Sequence, residues 1–307
     1  MSDAASGPRV VALGGGHGLA AALRAARRYA GDITAVVSVA DDGGSSGRLR
    51  RDLDVLPPGD LRKCLVALAA GDGVWPAAFE HRFAAGDLVG HPLGNLVLAG
   101  LGEALGDPVA AIDEAARLLG VVGRVRPATA GPVVLKADVE GETVQGQVAV
   151  MNVVGRIRRV ELVPGDAPAH PDAVAAIAAA DQVVLAPGSL YTSVLPVLCV
   201  AGVRAAVAAT PAQVVQVCNL RPQPPETTGL DAADHLRAAL DHGARVDAFL
   251  YEEGGGLPVD AARIRAWGVR PVAGHIARRS GLAHDPARLA PALTDLLESP
   301  SEERGPT

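Results

Sequence analysis

The tightest constraint on this chain is a cluster of four glycines in five residues, Gly14-Gly15-Gly16-His17-Gly18. Before it lies a short Val-rich apolar run, residues 9–13, of the kind expected for a strand buried on both faces. After it lies an Ala/Leu/Arg-rich segment, residues 19–29, made of good helix formers. A second apolar run follows at residues 33–39. Strand, glycine turn, helix and strand within about 30 residues predict a parallel pair joined by a right-handed crossover. The glycines let the backbone turn sharply, and the free N–H groups of the helix start then form an anion site. The loop is not a Walker A sequence, because no Gly-Lys-Ser/Thr follows. Nor is it a strict GxGxxG, because Leu19 holds the last glycine's place.

The rest of the chain repeats this rhythm with one interruption. Residues 41–60 read as a long polar loop, and a helix is expected from Asp60, taken as its N-cap, to about residue 70. Helical patterns recur near residues 77–83, 93–105 and 109–119. Residues 121–162 change character, with short alternating runs (133–139, 143–148, 157–162) that read as antiparallel strands. The βα alternation then resumes: helix 173–180, strand 182–186, strand 214–217, helix 230–242, strand 246–251 and a closing helix at 286–297. The expected fold is α/β, a doubly wound, Rossmann-like, mostly parallel sheet with a small antiparallel insertion at about 121–163. It should form one domain over 1–298, with a tail at 299–307.

Composition narrows the partners. The net charge is −6, and aromatic residues are 3% of the 307. That combination disfavours nucleic acid, which needs a basic face and stacking rings. Cys64, Cys199 and Cys218 are far apart and suggest neither a disulfide framework nor a zinc site. Residues 1–9 hold no apolar signal core. The most apolar stretch, 194–209, is broken by Pro196, Gly202 and Arg204, so no membrane span is expected and a cytoplasmic location fits.

In an open parallel sheet, ligands bind beyond the carboxyl ends of the strands. Four groups of residues are placed to meet there. The first is Gly14, Gly15, Gly16, His17 and Gly18, a nucleotide or phosphate cradle. The second is Asp41, Asp42, Gly44, Ser45, Ser46 and Arg48. One of its acids stands near the usual offset for a ribose contact, its Gly/Ser run suits an anion nest, and Arg48 suits a phosphate. Asp42 is alternatively a Mg²⁺ ligand. The third is Asp60 and Arg62 with His91 and Asn95, the last two spaced to share a helix face. The fourth is Gly188, Ser189, Tyr191 and Thr192 at a helix start, with Asn219 ending the next strand. Ser189 lacks the G-x-S-x-G setting of a hydrolase nucleophile. The other histidines show no metal-ligand spacing, and no catalytic residue is assigned.

Taken together, Leu13 to Leu19, the string Ala40-Asp41-Asp42-Gly43-Gly44-Ser45-Ser46-Gly47-Arg48-Leu49-Arg50, and Pro57-Pro58-Gly59-Asp60-Leu61-Arg62 resemble the bacterial gluconeogenesis factor (YvcK-like) family. So do His91 to Leu96, Pro187-Gly188-Ser189-Leu190-Tyr191-Thr192-Ser193, and Cys218-Asn219-Leu220 with Gln223 and Glu226. That family is related to the 2-phospho-L-lactate transferase of coenzyme F420 synthesis. The resemblance implies a cytoplasmic, Rossmann-like regulator that binds a UDP-sugar, notably UDP-N-acetylglucosamine. It also implies a role in cell shape and wall-precursor supply, through an amino-sugar biosynthetic enzyme as partner. The related transferase implies an alternative, Mg²⁺-assisted group transfer from a nucleotide. A homodimer is the default expectation. His17 and Lys63 replace the family's usual Thr and Asn.

Overall fold

The structure is a computed structural model, and it describes residues 7–299. The expected tail therefore lies, beyond Ser299, outside the described residues, as do residues 1–6. Seven strands form one sheet: β1 (Arg9–Gly14), β2 (Asp32–Val37), β3 (Arg124–Pro127), β7 (Gln182–Leu185), β8 (Gln213–Val217), β9 (Ala248–Glu252) and β10 (Arg270–Gly274). Their spatial order is β10-β9-β8-β7-β1-β2-β3, and every pair is parallel. The remaining three, β4 (Val134–Val139), β5 (Glu142–Gln145) and β6 (Ile157–Val163), form a separate antiparallel sheet in the order β5-β4-β6.

The reason for the continuous apolar runs is visible in the two cores. Val10 and Ala12 of β1 face one core, with the helices Gly16–Ala26, Pro58–Leu68, Pro108–Leu119 and Pro286–Glu298. Val11 and Leu13 face the other, with the helices Pro171–Ala179, Ala201–Ala209 and Ala232–Asp241 and the inner side of the antiparallel sheet. A strand covered on both sides has no polar face to show. The doubly wound arrangement and the insertion expected from sequence are therefore what the chain adopts.

Four expectations differ. Residues 44–53 are a helix (Gly44–Leu53) rather than loop, starting at two glycines and burying Leu49. Asp60 is not a cap: Pro57 holds that place, and Asp60 lies in the first turn of the helix Pro58–Leu68. The strand β3, read as part of the antiparallel unit, instead pairs in parallel with β2 at the edge of the main sheet. The second alternating run, expected as a strand over residues 143–148, stops at Gln145 and gives way to a short helix, Gln147–Met151. No single helix among the described residues is long and apolar enough to cross a membrane, and the apolar stretch 190–209 is bent by 82°.

From β1 the chain runs outward to β2 and β3, then returns to place β7 on the other side of β1. The strand order thus reverses between β1 and β7, the point at which an open sheet opens a crevice at its carboxyl edge.

Candidate functional site

At that crevice the turns after β1 and β7 touch. The helix Gly16–Ala26 starts on Gly15, and no side chain caps it, so the N–H groups of Gly16, His17 and Gly18 have no partner within their own helix. Gly16 has a φ of +65° and open space where a Cβ would be. Gly18 is packed the opposite way: a Cβ there would lie 1.8 Å from the Pro187 carbonyl oxygen. Only glycine permits this contact between the two halves of the sheet. His17, Gly18, Pro187, Gly188 and Asn219 line a cleft of 490 Å³ at this point. Burial, aided by the charge of Lys63, lowers the His17 pKa and favours a neutral ring there.

The second cradle, at residues 187–194, has an occupant. One carboxylate oxygen of Glu226 accepts from the Tyr191 N–H (2.7 Å), the Thr192 N–H (3.1 Å) and the Thr192 hydroxyl (3.3 Å). The Ser189 hydroxyl bonds to the same carboxylate. Glu226 is 5% exposed, and burial raises its pKa against the pull of these donors. The sequence expectation of an anion site here is thus met by the chain's own anion. Asn219 is also engaged with its neighbour, its Oδ1 accepting from the Gly188 N–H (2.9 Å) and its Nδ2 donating to the Gly188 carbonyl (2.8 Å).

Between the first turn and residues 41–48 sits the start of the helix Pro58–Leu68. Asp60 pairs with Lys63 (2.9 Å) and turns its other oxygen toward Gly15, where a Cβ would come within 2.4 Å. Ser46 Oγ accepts from the Gly59 N–H (3.1 Å) and is bonded to Asp41. Asp41 accepts from the Gly43 N–H (3.0 Å). Burial raises the Asp41 pKa, and the nearby charge of Asp60 adds to it. Asp42, by contrast, is engaged by the insertion. Its two oxygens accept from the N–H groups of Gln147 and Val148 (2.9 Å each), fastening the insertion's short helix to this loop. Among the described residues no group of three His, Cys, Asp or Glu side chains is placed to hold a metal.

The third group forms a buried relay. Arg62, 3% exposed, donates through Nε to Asn95 Oδ1 (3.0 Å) and pairs through its guanidinium with Glu80. This fixes the Asn95 amide, whose Nδ2 donates to Ser45 Oγ (3.0 Å). Ser45 Oγ then lies 2.8 Å from His91 Nδ1, and the pattern is complete with the hydroxyl donating to a neutral ring. Burial lowers the His91 pKa and the charge of Arg48 adds to the effect, in keeping with that form. Arg48 itself donates to the Val89 carbonyl (2.8 Å). The relay ties the start of the helix Gly44–Leu53 to the start of the helix Leu93–Leu105.

Comparison with known proteins agrees with the geometry. The family model described as 2-phospho-L-lactate transferase CofD matches residues 10–273. The "Gluconeogenesis factor" of Bacillus subtilis is 39% identical over 312 residues, covering 95% of this chain and 98% of the relative. The chain belongs to the CofD-related family of gluconeogenesis factors. A Mycobacterium tuberculosis relative is 52% identical over 245 residues, 76% of this chain and 72% of its own. A solved structure from Bacillus halodurans, described as a member of the UPF0052 family, superposes with a TM-score of 0.90 at 38% identity. It covers 94% of this chain and 99% of that one.

In this gluconeogenesis factor family member, then, the cleft brings together His17, Gly18, Gly188 and Asn219, with Asp60 beside Gly15 and with Asp41 and Ser46 beside Gly59. Ser45, Arg62, His91 and Asn95 form the supporting relay behind the second loop. Tyr191 stands apart, lining a different cavity. Sequence reasoning passed over Glu226 as a site residue, although its position was within the family string. It also passed over Arg221, Pro222 and Leu282, which complete the cleft wall. The Pro-rich run at 222–225 was the only local signal for that wall. A separate cavity of 320 Å³, lined by Leu53, Leu56, Leu98 and Ile112 among others, contains none of the predicted residues.

Proposed function

We propose that this chain is a cytoplasmic sugar-nucleotide-binding regulator, with a UDP-sugar, UDP-N-acetylglucosamine in particular, as its ligand. The observation that carries this reading is the amide cradle at residues 16–18, open to a cleft at the strand-order reversal while the cradle beside it is filled by Glu226. An acidic chain whose helix Gly16–Ala26 starts uncapped at such a crevice offers a diphosphate N–H donors and the positive end of a helix. Asp41 and Asp60, at the neighbouring loops, are suited to sugar hydroxyls. The names of the relatives support a place in gluconeogenic metabolism. From that we infer an influence on wall-precursor supply and cell shape through an amino-sugar biosynthetic enzyme. Calorimetric titration with UDP-N-acetylglucosamine, UDP-glucose, GDP and NAD tests the ligand. Saturable binding of a UDP-sugar is expected, weakened roughly tenfold or more by His17→Glu, which sets a negative charge at the cradle. Binding of none of the four overturns the reading.

A second reading rests on the CofD family model: nucleotide-dependent transfer of a phosphorylated group. Mg²⁺ commonly uses one or two carboxylates plus substrate phosphates. Asp41 and Asp60 fit that role, and Asp42, engaged by two backbone N–H groups, does not. When bound, the ion would supply charge neutralisation at the phosphates. Mg²⁺-dependent product formation from a nucleotide-linked phospholactate, lost in Asp41→Asn and kept in Asp42→Asn, would favour this reading.

A further inference from the structure

Tyr191, displaced from the first cleft, points to a second site. Between the start of β6, the 190–194 turn and the helix Ala232–Asp241 lies a cavity of 410 Å³. Its charged lining is Arg156, Arg158, Arg237, Asp234 and Asp241. The acids are already matched. Asp241 pairs with Arg237 (2.6 Å), and Asp234 pairs with Arg263 (2.5 Å) and accepts from the Asp231 N–H. Glu226, behind Tyr191, is satisfied by its backbone and hydroxyl donors. Among the described residues, neither Arg156 nor Arg158 has a carboxylate within 4.0 Å. Two guanidinium groups with no ion pair of their own thus meet at a concavity in a protein of net charge −6. Tyr191 is buried, yet its hydroxyl makes no hydrogen bond to the described residues.

We propose that this cavity binds a small organic phosphate monoester, with Arg156 and Arg158 clamping the phosphate and the Tyr191 hydroxyl donating to it. Guanidinium forks match phosphate oxygens in pairs, which single lysines do not. Burial pushes the Tyr191 pKa up to about 12, so the phenol stays a donor at any physiological pH. An adjoining cavity of 350 Å³ shares Arg156, Leu230 and Asp234 and adds Val154 and Pro225, giving the organic part a less polar wall. The arginines are exposed, so entry requires no opening. The site is independent of the nucleotide reading but adjacent to it in the chain. Gly188 lines the first cleft and Tyr191, three residues on, lines this one, with Glu226 holding the turn between them.

The test is calorimetric titration of the full chain with glucose 6-phosphate and with inorganic phosphate. Saturable binding is expected, tighter for the ester. Arg156→Ala/Arg158→Ala should raise its Kd roughly tenfold or more and Tyr191→Phe by about threefold. His17→Ala, at the first cradle, should leave it unchanged. The exposed arginine variants should keep the parent melting temperature, which separates lost binding from lost folding. The proposal is overturned by absence of saturable binding, or by a double variant that binds within twofold of the parent. Loss of binding in His17→Ala alone would also overturn it, because the phosphate would then sit on the first cradle.

Discussion

The turns after β1 and β7 start alike and end differently. Each is a glycine-containing bend from an apolar strand into a helical segment, and each presents backbone N–H groups to an anion. At residues 14–18 those groups face a cleft. At residues 187–194 they are taken by Glu226, a carboxylate 35 residues further along the chain. Local sequence specifies that an amide nest wants negative charge. Whether that charge is a ligand or the protein's own acid is decided by what the rest of the fold brings to it. The same device recurs at Asp42, which holds the N–H groups of Gln147 and Val148, and at Glu252, which holds those of Ile276 and Ala277. Much of the chain's acidity near the cleft is spent on fastening its own loops.

The largest expected effect comes from separating the two turns. Gly18→Ala places a methyl against the Pro187 carbonyl and should cost about 3 kcal/mol in chemical denaturation. Gly16→Ala, which meets open space but a positive φ, should cost only about 1 kcal/mol. Equal losses would mean that the contact at Gly18 is not what joins the turns. Emptying the filled cradle comes next. Glu226→Ala leaves the N–H groups of Tyr191 and Thr192 without an acceptor, an expected loss of about 2 kcal/mol by thermal denaturation. Added formate should recover part of it in the variant and none in the parent. A stable variant indifferent to formate would remove the distinction between the cradles.

A smaller change tests the fastening of the insertion. Asp42→Asn keeps one good acceptor of two and should cost about 1 kcal/mol, with faster hydrogen exchange at Gln147 and Val148. The smallest effect is on pH dependence, and it has opposite signs at the two turns. His17 is held below its ordinary 6.5, so its contribution is complete above pH 6.5 and lost as pH falls through the folded value. Glu226 is held above 4.5, so its share is complete below pH 4.5 and lost as pH rises through the folded value. His17→Ala should flatten the melting profile just below pH 6.5, and Glu226→Gln should flatten it above pH 4.5.

The first βαβ unit was legible because its signals are local: a strand buried on both faces, glycines at the turn, and Ala and Leu in the helix. The helix Gly44–Leu53 was hidden because its first residues are Gly and Ser. What holds its start is tertiary, the Ser45 contact with His91 and Asn95. The strand β3 reads as polar because Arg126 lies within it, and Arg126 is buried only by pairing with Asp113 and Asp172. Within the site, residue types at strand ends singled out loops that the fold brings close together, but they assigned the relay residues Arg62, His91 and Asn95 to the ligand. They assigned Asp42 and Tyr191 to the ligand, since nothing local announces that residue 147 or residue 226 comes to meet those loops.

The order of strands also sets a clock on biosynthesis. β1 gains β2 within some 20 residues, but its other edge waits for β7, with Val10 paired to Gln182. At ribosomal rates of roughly 5–20 residues per second, that edge stays open for about 10–35 seconds. During that interval a Val-rich strand offers unpaired backbone groups to any neighbour. A nascent chain of this design has strong reason to need a chaperone over its first half, and a slower-translated message would lengthen the exposure.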